Sequence, residues 1–235
     1  MTTPQPTQLT RKFGRALDYA RILHGADIRK GTSIPYLAHP MAVASIVLEH
    51  GGSEDQTIAA LLHDAGEDHG GRRRIAAIRS EFGPVVADIV ESCSDDLPAQ
   101  RHEKLDWRTR KIKYLGHLAT VGAPTALVSA ADKLHNARAI LADHRVVGDE
   151  LWKRFNPDAG RPGTLWYYRR LAEILTVELA ETAPELAAEV TRTVNALVEE
   201  IPSREHGVTP ELLEDELEAA RAREKKWHTT GSHVE

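Results

Sequence analysis

The sequence predicts an all-α fold on three observations. Apolar residues recur at three- and four-residue spacings along most of the 235-residue chain. No stretch sustains strand-like alternation, and Gly, Pro, Ser and Thr stand where helices start and stop.

Thr10 is a candidate N-cap, and Phe13, Leu17, Ala20 and Leu23 follow it on one helical face. Gly25 to Pro35, charged and rich in small residues, reads as a loop. Pro40 suits the first position of a second helix that carries Val43, Ile46 and Val47 and stops at Gly51-Gly52. Ser53 and Gln56 form a capping box for a third helix running through Leu62 and His63 to a stop at Gly70-Gly71. Short helices are expected over 74–82 and, behind Pro84, over 85–92. The polar stretch 94–101 reads as a loop. Longer helices follow at 107–121 and 124–143, the second with Leu127, Ala131, Leu134 and Arg138 spaced along it. A short helix at 150–155 precedes a loop at 156–163, marked by two Pro and two Gly. Helices at 165–182 and 184–200 complete the regular pattern. Beyond Glu205 a helix over 210–226 is dense in Glu and Arg, with Leu212, Leu213 and Leu217 as its large apolar group until Trp227. It is expected to dock on the domain or on a second subunit, and 229–235 to be disordered.

Composition excludes several classes. With 30 Lys plus Arg against 35 Asp plus Glu, the formal charge of −5 lacks the footprint of a nucleic-acid or anionic-membrane binder. A small phosphorylated ligand needs only a few local bases and stays open. The single cysteine, Cys93, forms no intrachain disulfide and reads as a partly buried structural thiol. The N-terminus has no apolar signal core and no apolar run reaches spanning length, which points to the cytoplasm.

The chemistry concentrates in a few segments. His63-Asp64 follows the apolar run Ile58-Ala59-Ala60-Leu61-Leu62, and an imidazole beside a carboxylate is a pair that divalent metals favour. On a continuous helix Glu67, four residues on, would share the His63 face. Glu67 and Asp68 near a helix C-terminus oppose the macrodipole, a local cost that favours a functional reason over a structural ion pair. His39 stands at a helix start in Tyr36-Leu37-Ala38-His39-Pro40. Asp132 and Asn136 are four apart on a helix otherwise made of Ala, Leu and Val. Arg29-Lys30 lie in the loop before His39. Taken singly, His39 could be a helix cap, Asp132 a structural ion-pair partner and Arg29 surface charge. Trp166-Tyr167-Tyr168 could wall a pocket or form a core stripe. His24, His102, His117 and His144 default to packing or surface roles.

Taken together, these segments resemble the HD superfamily of metal-dependent phosphohydrolases, whose order H…HD…D is matched by His39, His63-Asp64 and Asp132. More narrowly, the chain resembles the hydrolase domain of Rel/SpoT-type alarmone enzymes and the stand-alone small alarmone hydrolases of the metazoan SpoT-homologue kind. The matching text is His24-Gly25-Ala26, Arg29-Lys30, Pro35-Tyr36 and His39-Pro40; then Ala59 to Asp64 with Glu67-Asp68, Phe82-Gly83, and Ala131 to Arg138. It runs from about Phe13 to Leu141. Gly66 and His69 depart from the family, which favours an apolar residue such as Val and a Thr there. Gly66 could loosen the helix beneath the Glu-Asp pair.

The resemblance implies an HD-domain helical bundle. Residues 10–204 would be the hydrolase domain, between a flexible N-terminus (1–9) and a charged C-terminal helix and tail (205–235). It implies hydrolysis of the 3′-pyrophosphate of a (p)ppGpp- or (p)ppApp-type alarmone, with Mn²⁺ held by His39, His63, Asp64 and Asp132. Two imidazoles and two carboxylates leave positions on an octahedral ion open for water and substrate, and Fe²⁺, Co²⁺ or Zn²⁺ could be held by the same four ligands. Glu67 and Asp68 would orient and deprotonate the attacking water and protonate the leaving group. Arg29 would cover the base, Lys30 meet phosphate, Asn136 bond ribose or base, and Arg138 face phosphate or pair with an acid one turn away. The partner expected is a small-molecule nucleotide; for the chain itself a homo-oligomer stays open. Two alternatives stay open: a general HD-type nucleotide phosphohydrolase, and a non-catalytic nucleotide-sensing module.

Overall fold

The computed structural model describes residues 6–95, 97 and 105–230. Among them there is no strand; one isolated antiparallel bridge, Ile28 to Pro35, closes the loop after the first helix. The helices are α1 Arg11–Leu23, α2 Ala38–Glu49, α3 Glu54–Leu62, α4 Ala65–Asp68, α5 Gly71–Phe82 and α6 Pro84–Cys93, followed by α7 Trp107–Leu118 and α8 Ala123–Val147. A 3₁₀ helix over Gly148–Arg154 leads to α9 Gly160–Glu178, α10 Pro184–Arg204 and α11 Pro210–Thr230. No described helix is long and apolar enough to cross a membrane.

The axis of the bundle is α8, which packs against α2, α3, α6, α9, α10 and the 3₁₀ helix. Its middle is built from small and aliphatic residues, and Ala126, Val128, Ala130, Ala131, Leu134 and Ala137 are fully buried. Small side chains let neighbouring helices approach on every side, so few positions remain for polar groups. Asp132 is therefore conspicuous as a buried carboxylate in that stretch. Helix α3 is apolar over Ile58–Leu62 and runs against both α2 and α8. Its start is the expected capping box: Ser53 Oγ accepts from the Gln56 backbone N–H at 3.3 Å, and Gln56 Oε1 accepts from the Ser53 N–H at 2.8 Å.

Several boundaries differ from the periodicity. The third helix does not run to Gly70; it ends at Leu62, and Asp64 sits at φ −92°, ψ −5° before the single turn of α4. Gly66 lies within that single turn. It is buried, and a Cβ there would stand 2.9 Å from Ile75 Cδ1 and 3.0 Å from Leu97 Cδ2. Helix α2 starts two residues before Pro40, which places His39 inside its first turn. Residues 160–163, expected as loop, are the first turn of α9, where Pro162 lacks no needed donor. Helix α10 extends past Pro202 to Arg204. Thr7, in the stretch expected to be flexible, donates to the Gly52 carbonyl at 2.7 Å. The loop expected over 94–101 falls mostly outside the described residues, as do His102 and the end of the tail.

The charged helix α11 docks on α9 of the same chain. Leu213, Leu217 and Ala220 are buried there, and Trp166 Nε1 donates to Glu224 at 3.1 Å. Ahead of it Glu205, only 5% exposed, accepts from His144 Nε2 at 2.8 Å, Trp152 Nε1 at 2.6 Å and Arg161 at 2.5 Å. This one carboxylate joins the end of α10 to α8, the 3₁₀ helix and α9.

Candidate active site

Three elements bring the expected metal-binding residues together. His39 comes from the first turn of α2, His63 and Asp64 from the break between α3 and α4, and Asp132 from the middle of α8. His39 Nε2 lies 3.2 Å from His63 Nε2, 3.2 Å from Asp132 Oδ1 and 3.6 Å from Asp64 Oδ2. His63 Nε2 lies 3.0 Å from Asp64 Oδ2 and 3.5 Å from Asp132 Oδ1. Metal–ligand bonds of about 2.1 Å put neighbouring ligands of an octahedral ion about 3.0 Å apart. The donor atoms of His39, His63 and Asp64 all lie within 4.8 Å of one another, and the separations from the two imidazoles to Asp64 and Asp132, 3.0–3.6 Å, are near that value.

The hydrogen bonds behind each candidate ligand aim it. His63 Nδ1 faces the Ala60 carbonyl at 2.8 Å, and a carbonyl only accepts, so the proton sits on Nδ1. His39 Nδ1 is 2.8 Å from His135 Nδ1, which also lies 3.4 Å from an Arg29 nitrogen. Arginine can only donate, so His135 Nδ1 is the acceptor and His39 Nδ1 carries its hydrogen. Both imidazoles thus present Nε2 to the cluster, the arrangement that outer hydrogen bonds impose on ligating histidines. Burial, with His39 and Arg29 beside it, pushes His135 down to about 4, which keeps it a neutral acceptor. Asp132 is held at both oxygens: Asn136 Nδ2 donates to Oδ1 at 2.6 Å and Lys133 Nζ to Oδ2 at 2.5 Å. The Tyr36 hydroxyl donates to Asp64 Oδ2.

The electrostatics fit a cation. Burial opposes charge on His63, Asp64 and Asp132, yet His63 is raised well above its ordinary value by Asp64 and Asp132. Both carboxyls, in turn, lie well below theirs: His63 and His39 hold Asp64 down, and Lys133 with His63 does the same for Asp132. The site binds a positive charge against the cost of desolvation. A divalent ion would meet the same carboxylates and take the place of that proton.

The cluster opens into a pocket of about 430 Å³ lined by His39, Asp64, Arg29, Lys30, Tyr36 and Asn136, a size within the range of small-molecule sites. The Arg29 guanidinium donates to Asn136 Oδ1 at 3.1 Å, which ties the loop before α2 to α8. Sequence reasoning missed the far wall. Leu151, Arg154, Phe155 and Asn156 line the pocket, and Arg154 pairs with Asp143 at 2.7 Å. Arg154 lies over Gly31, whose φ is +74° and whose missing Cβ would stand 2.7 Å from Arg154 Cδ. Only a glycine readily takes that backbone under that side chain. The aromatic run divides between its two readings: Tyr168 lines the pocket, while Trp166 and Tyr167 are buried against Trp107.

Glu67 and Asp68 stand on the single turn of α4, and neither is among the residues that line the pocket. Burial first, then the charges of Asp95 and Asp64, push the Glu67 carboxyl up to about 7, although the Asp95 N–H donates to it at 2.7 Å. Asp95 is itself clamped by Arg110 at 2.6 Å and Lys111 at 2.7 Å. Asp68 is exposed, and its charge is felt at Tyr36. Because the helix breaks at Asp64, Glu67 does not share a continuous face with His63. Arg138 needs correction as well. It pairs with Glu189 on α10 and does not line the pocket. Two residues beyond Asn136 is about 200° around a helix, so one pocket cannot take both. Cys93, whose thiol burial pushes up to about 12, is no nucleophile.

Comparison with known proteins bears on the family and the fold. An HD-domain family profile matches residues 16–165. A guanosine-3′,5′-bis(diphosphate) 3′-pyrophosphohydrolase, MESH1, from Xenopus tropicalis is 35% identical over 126 residues, covering 52% of this chain and 66% of that protein. A probable enzyme of the same name from Synechocystis is 29% identical over 171 residues, which is 71% of this chain and 22% of the relative. The chain thus spans about a fifth of that long relative and just under two thirds of the short one. Among solved structures, a metazoan ortholog of SpoT described as hydrolysing ppGpp superposes with a TM-score of 0.64. It is 23% identical, covers 83% of this chain and 97% of its own, and bears on the fold alone. The protein lmo0812 of Listeria monocytogenes gives a TM-score of 0.58 at 29% identity over 67% of this chain and 96% of its own. With the profile extending from α1 into α9, and with the ordered His, His-Asp and Asp drawn to one point, the chain belongs to the HD-domain family.

Proposed function

We propose that this chain is a metal-dependent 3′-pyrophosphohydrolase of guanosine or adenosine alarmones, yielding a nucleoside di- or triphosphate and pyrophosphate. The observation that carries the reading is the convergence of His39, His63, Asp64 and Asp132 beside a pocket that also holds Arg29, Lys30 and Asn136. The names of the Xenopus and Synechocystis relatives support the substrate class.

When bound, a divalent ion, in our reading Mn²⁺, neutralises phosphate charge and acidifies the attacking water. The chain's own groups do the rest. His39 and His63 are locked with Nε2 forward, so no rotamer search precedes binding. Arg29, forked across Asn136 and His135, offers a flat cation to a purine, and Lys30 offers a point charge to phosphate. Tyr36, kept protonated by burial and by Asp64, steadies that carboxylate. Glu67, near 7, is matched to taking a proton from water at neutral pH, with Asp68 beside it for the leaving group.

Incubation of the purified chain with ppGpp or pppApp and Mn²⁺, followed by product analysis, tests the proposal. Pyrophosphate with GDP, or with ATP from pppApp, is expected. Release of orthophosphate from ordinary nucleotides instead would mean a general phosphohydrolase, and binding without turnover a sensing module.

A further inference from the structure

A second cluster of ligand-type side chains lies behind the first. His24, the C-cap of α1, is 2% exposed, and its Nδ1 lies 3.0 Å from Asp27 Oδ2. His69, at the end of α4, brings Nε2 to 2.7 Å from the same oxygen, and the two rings stand 4.8 Å apart. Each backbone is fixed without the cluster. His24 N–H donates to Ala20 O at 2.9 Å, Asp27 O accepts from Tyr36 N–H at 2.8 Å, and His69 O accepts from Arg74 Nε at 2.8 Å. The contacts of 2.7 and 3.0 Å match the separations of neighbouring ligands around a common ion, as at the His63–Asp64 pair.

The chemistry is that of a two-histidine, one-carboxylate face. Burial lowers His24 and so favours its neutral form, and His24 with His69 holds Asp27 below the usual carboxylate range. The Asp27 and His69 side chains are 37% and 26% exposed, so an ion and its remaining waters can reach them. No ligand is shared with the first cluster. Tyr36 stands between the two, its ring 4.9 Å from His24 and 5.7 Å from His39.

We propose that His24, Asp27 and His69 form a second divalent-metal site, suited to a borderline ion such as Zn²⁺ that takes three protein ligands and open water positions. Such an ion would pin the loop bearing Arg29 and Lys30 to the end of α4 bearing Glu67 and Asp68. The site stands on its own residues and does not rest on the hydrolase reading.

The test is metal counting on tag-free, chelator-stripped protein dialysed against Zn²⁺, comparing wild type with His69→Ala and Asp27→Asn. His69 is partly exposed, and Asp27→Asn keeps the side-chain shape, so one variant backs the other if either folds poorly. Two equivalents in wild type and one in each variant are expected. One in wild type and none in the variants would also uphold this site while removing the His39–His63 cluster. Equal stoichiometry in wild type and both variants, whether one or two, would overturn the proposal and leave a hydrogen-bonded triad.

Discussion

At the scale of single residues, Asp64 does two things: it faces both imidazoles and accepts from Tyr36. Asp64→Asn keeps size and an acceptor but discards the charge. Loss of bound Mn²⁺ and of alarmone hydrolysis is expected with helical circular dichroism unchanged; normal metal content would remove Asp64 from the ligand set. Glu67 separates chemistry from metal. Glu67→Gln with Asp68→Asn should retain the ion while kcat falls by about 10²–10⁴-fold, the scale of general acid–base catalysis. A base works only when ionised, so kcat/KM of wild type should rise with pH through a limb near 7, moved toward acid by any cation bound nearby. That limb should vanish in Glu67→Gln. Arg29→Lys keeps charge but cannot fork across Asn136 and His135 or lie flat on a base. KM for the alarmone should rise, with metal content unchanged and a small phosphoester without a base hardly affected. Wild-type kinetics in this variant would make the loop mere surface.

At the scale of elements, the candidate ligands were legible through the resemblance to the HD order H…HD…D, carried by His39 at a helix start, His63-Asp64 at a helix end and Asp132 in an Ala-rich helix. What depended on helix geometry was misjudged. The break at Asp64 separates His63 from Glu67, and Arg138 follows Asn136 in sequence yet turns to α10. The pocket's far wall was illegible, because Leu151, Arg154 and Phe155 reach the site only when the 3₁₀ helix folds back over Gly31. His24, Asp27 and His69 likewise belong to segments whose meeting no local pattern announces. Caps were the most readable feature. Ser53→Ala removes the acceptor for the Gln56 N–H and should cost about 0.5–2 kcal/mol. Thermal unfolding should detect it, and an unchanged midpoint would mean the box adds nothing to α3.

At the scale of the whole molecule, α11 belongs to the core it covers. Leu213 and Leu217 are 2% and 4% exposed, and burial of one Leu side chain is worth about 1.5–3 kcal/mol. The arginine–glutamate pairs along its rim, such as Arg169–Glu214 and Arg221–Glu173, are half-exposed and add little. Ending the chain at Val208 would uncover Trp166 and remove a large share of a typical domain's 5–15 kcal/mol. A markedly lower urea midpoint is expected; an unchanged one would make the helix an appendage.

Glu205 also bears on the order in which the protein is made. His39, His63, Asp64 and Asp132 leave the ribosome first, and α8 can gather them. The far wall follows at residues 148–156, but its Trp152 and the neighbouring His144 find their shared acceptor only some fifty residues later, when Glu205 emerges. On the proposed function, the candidate metal ligands therefore all precede in the chain the carboxylate that braces the pocket's far wall.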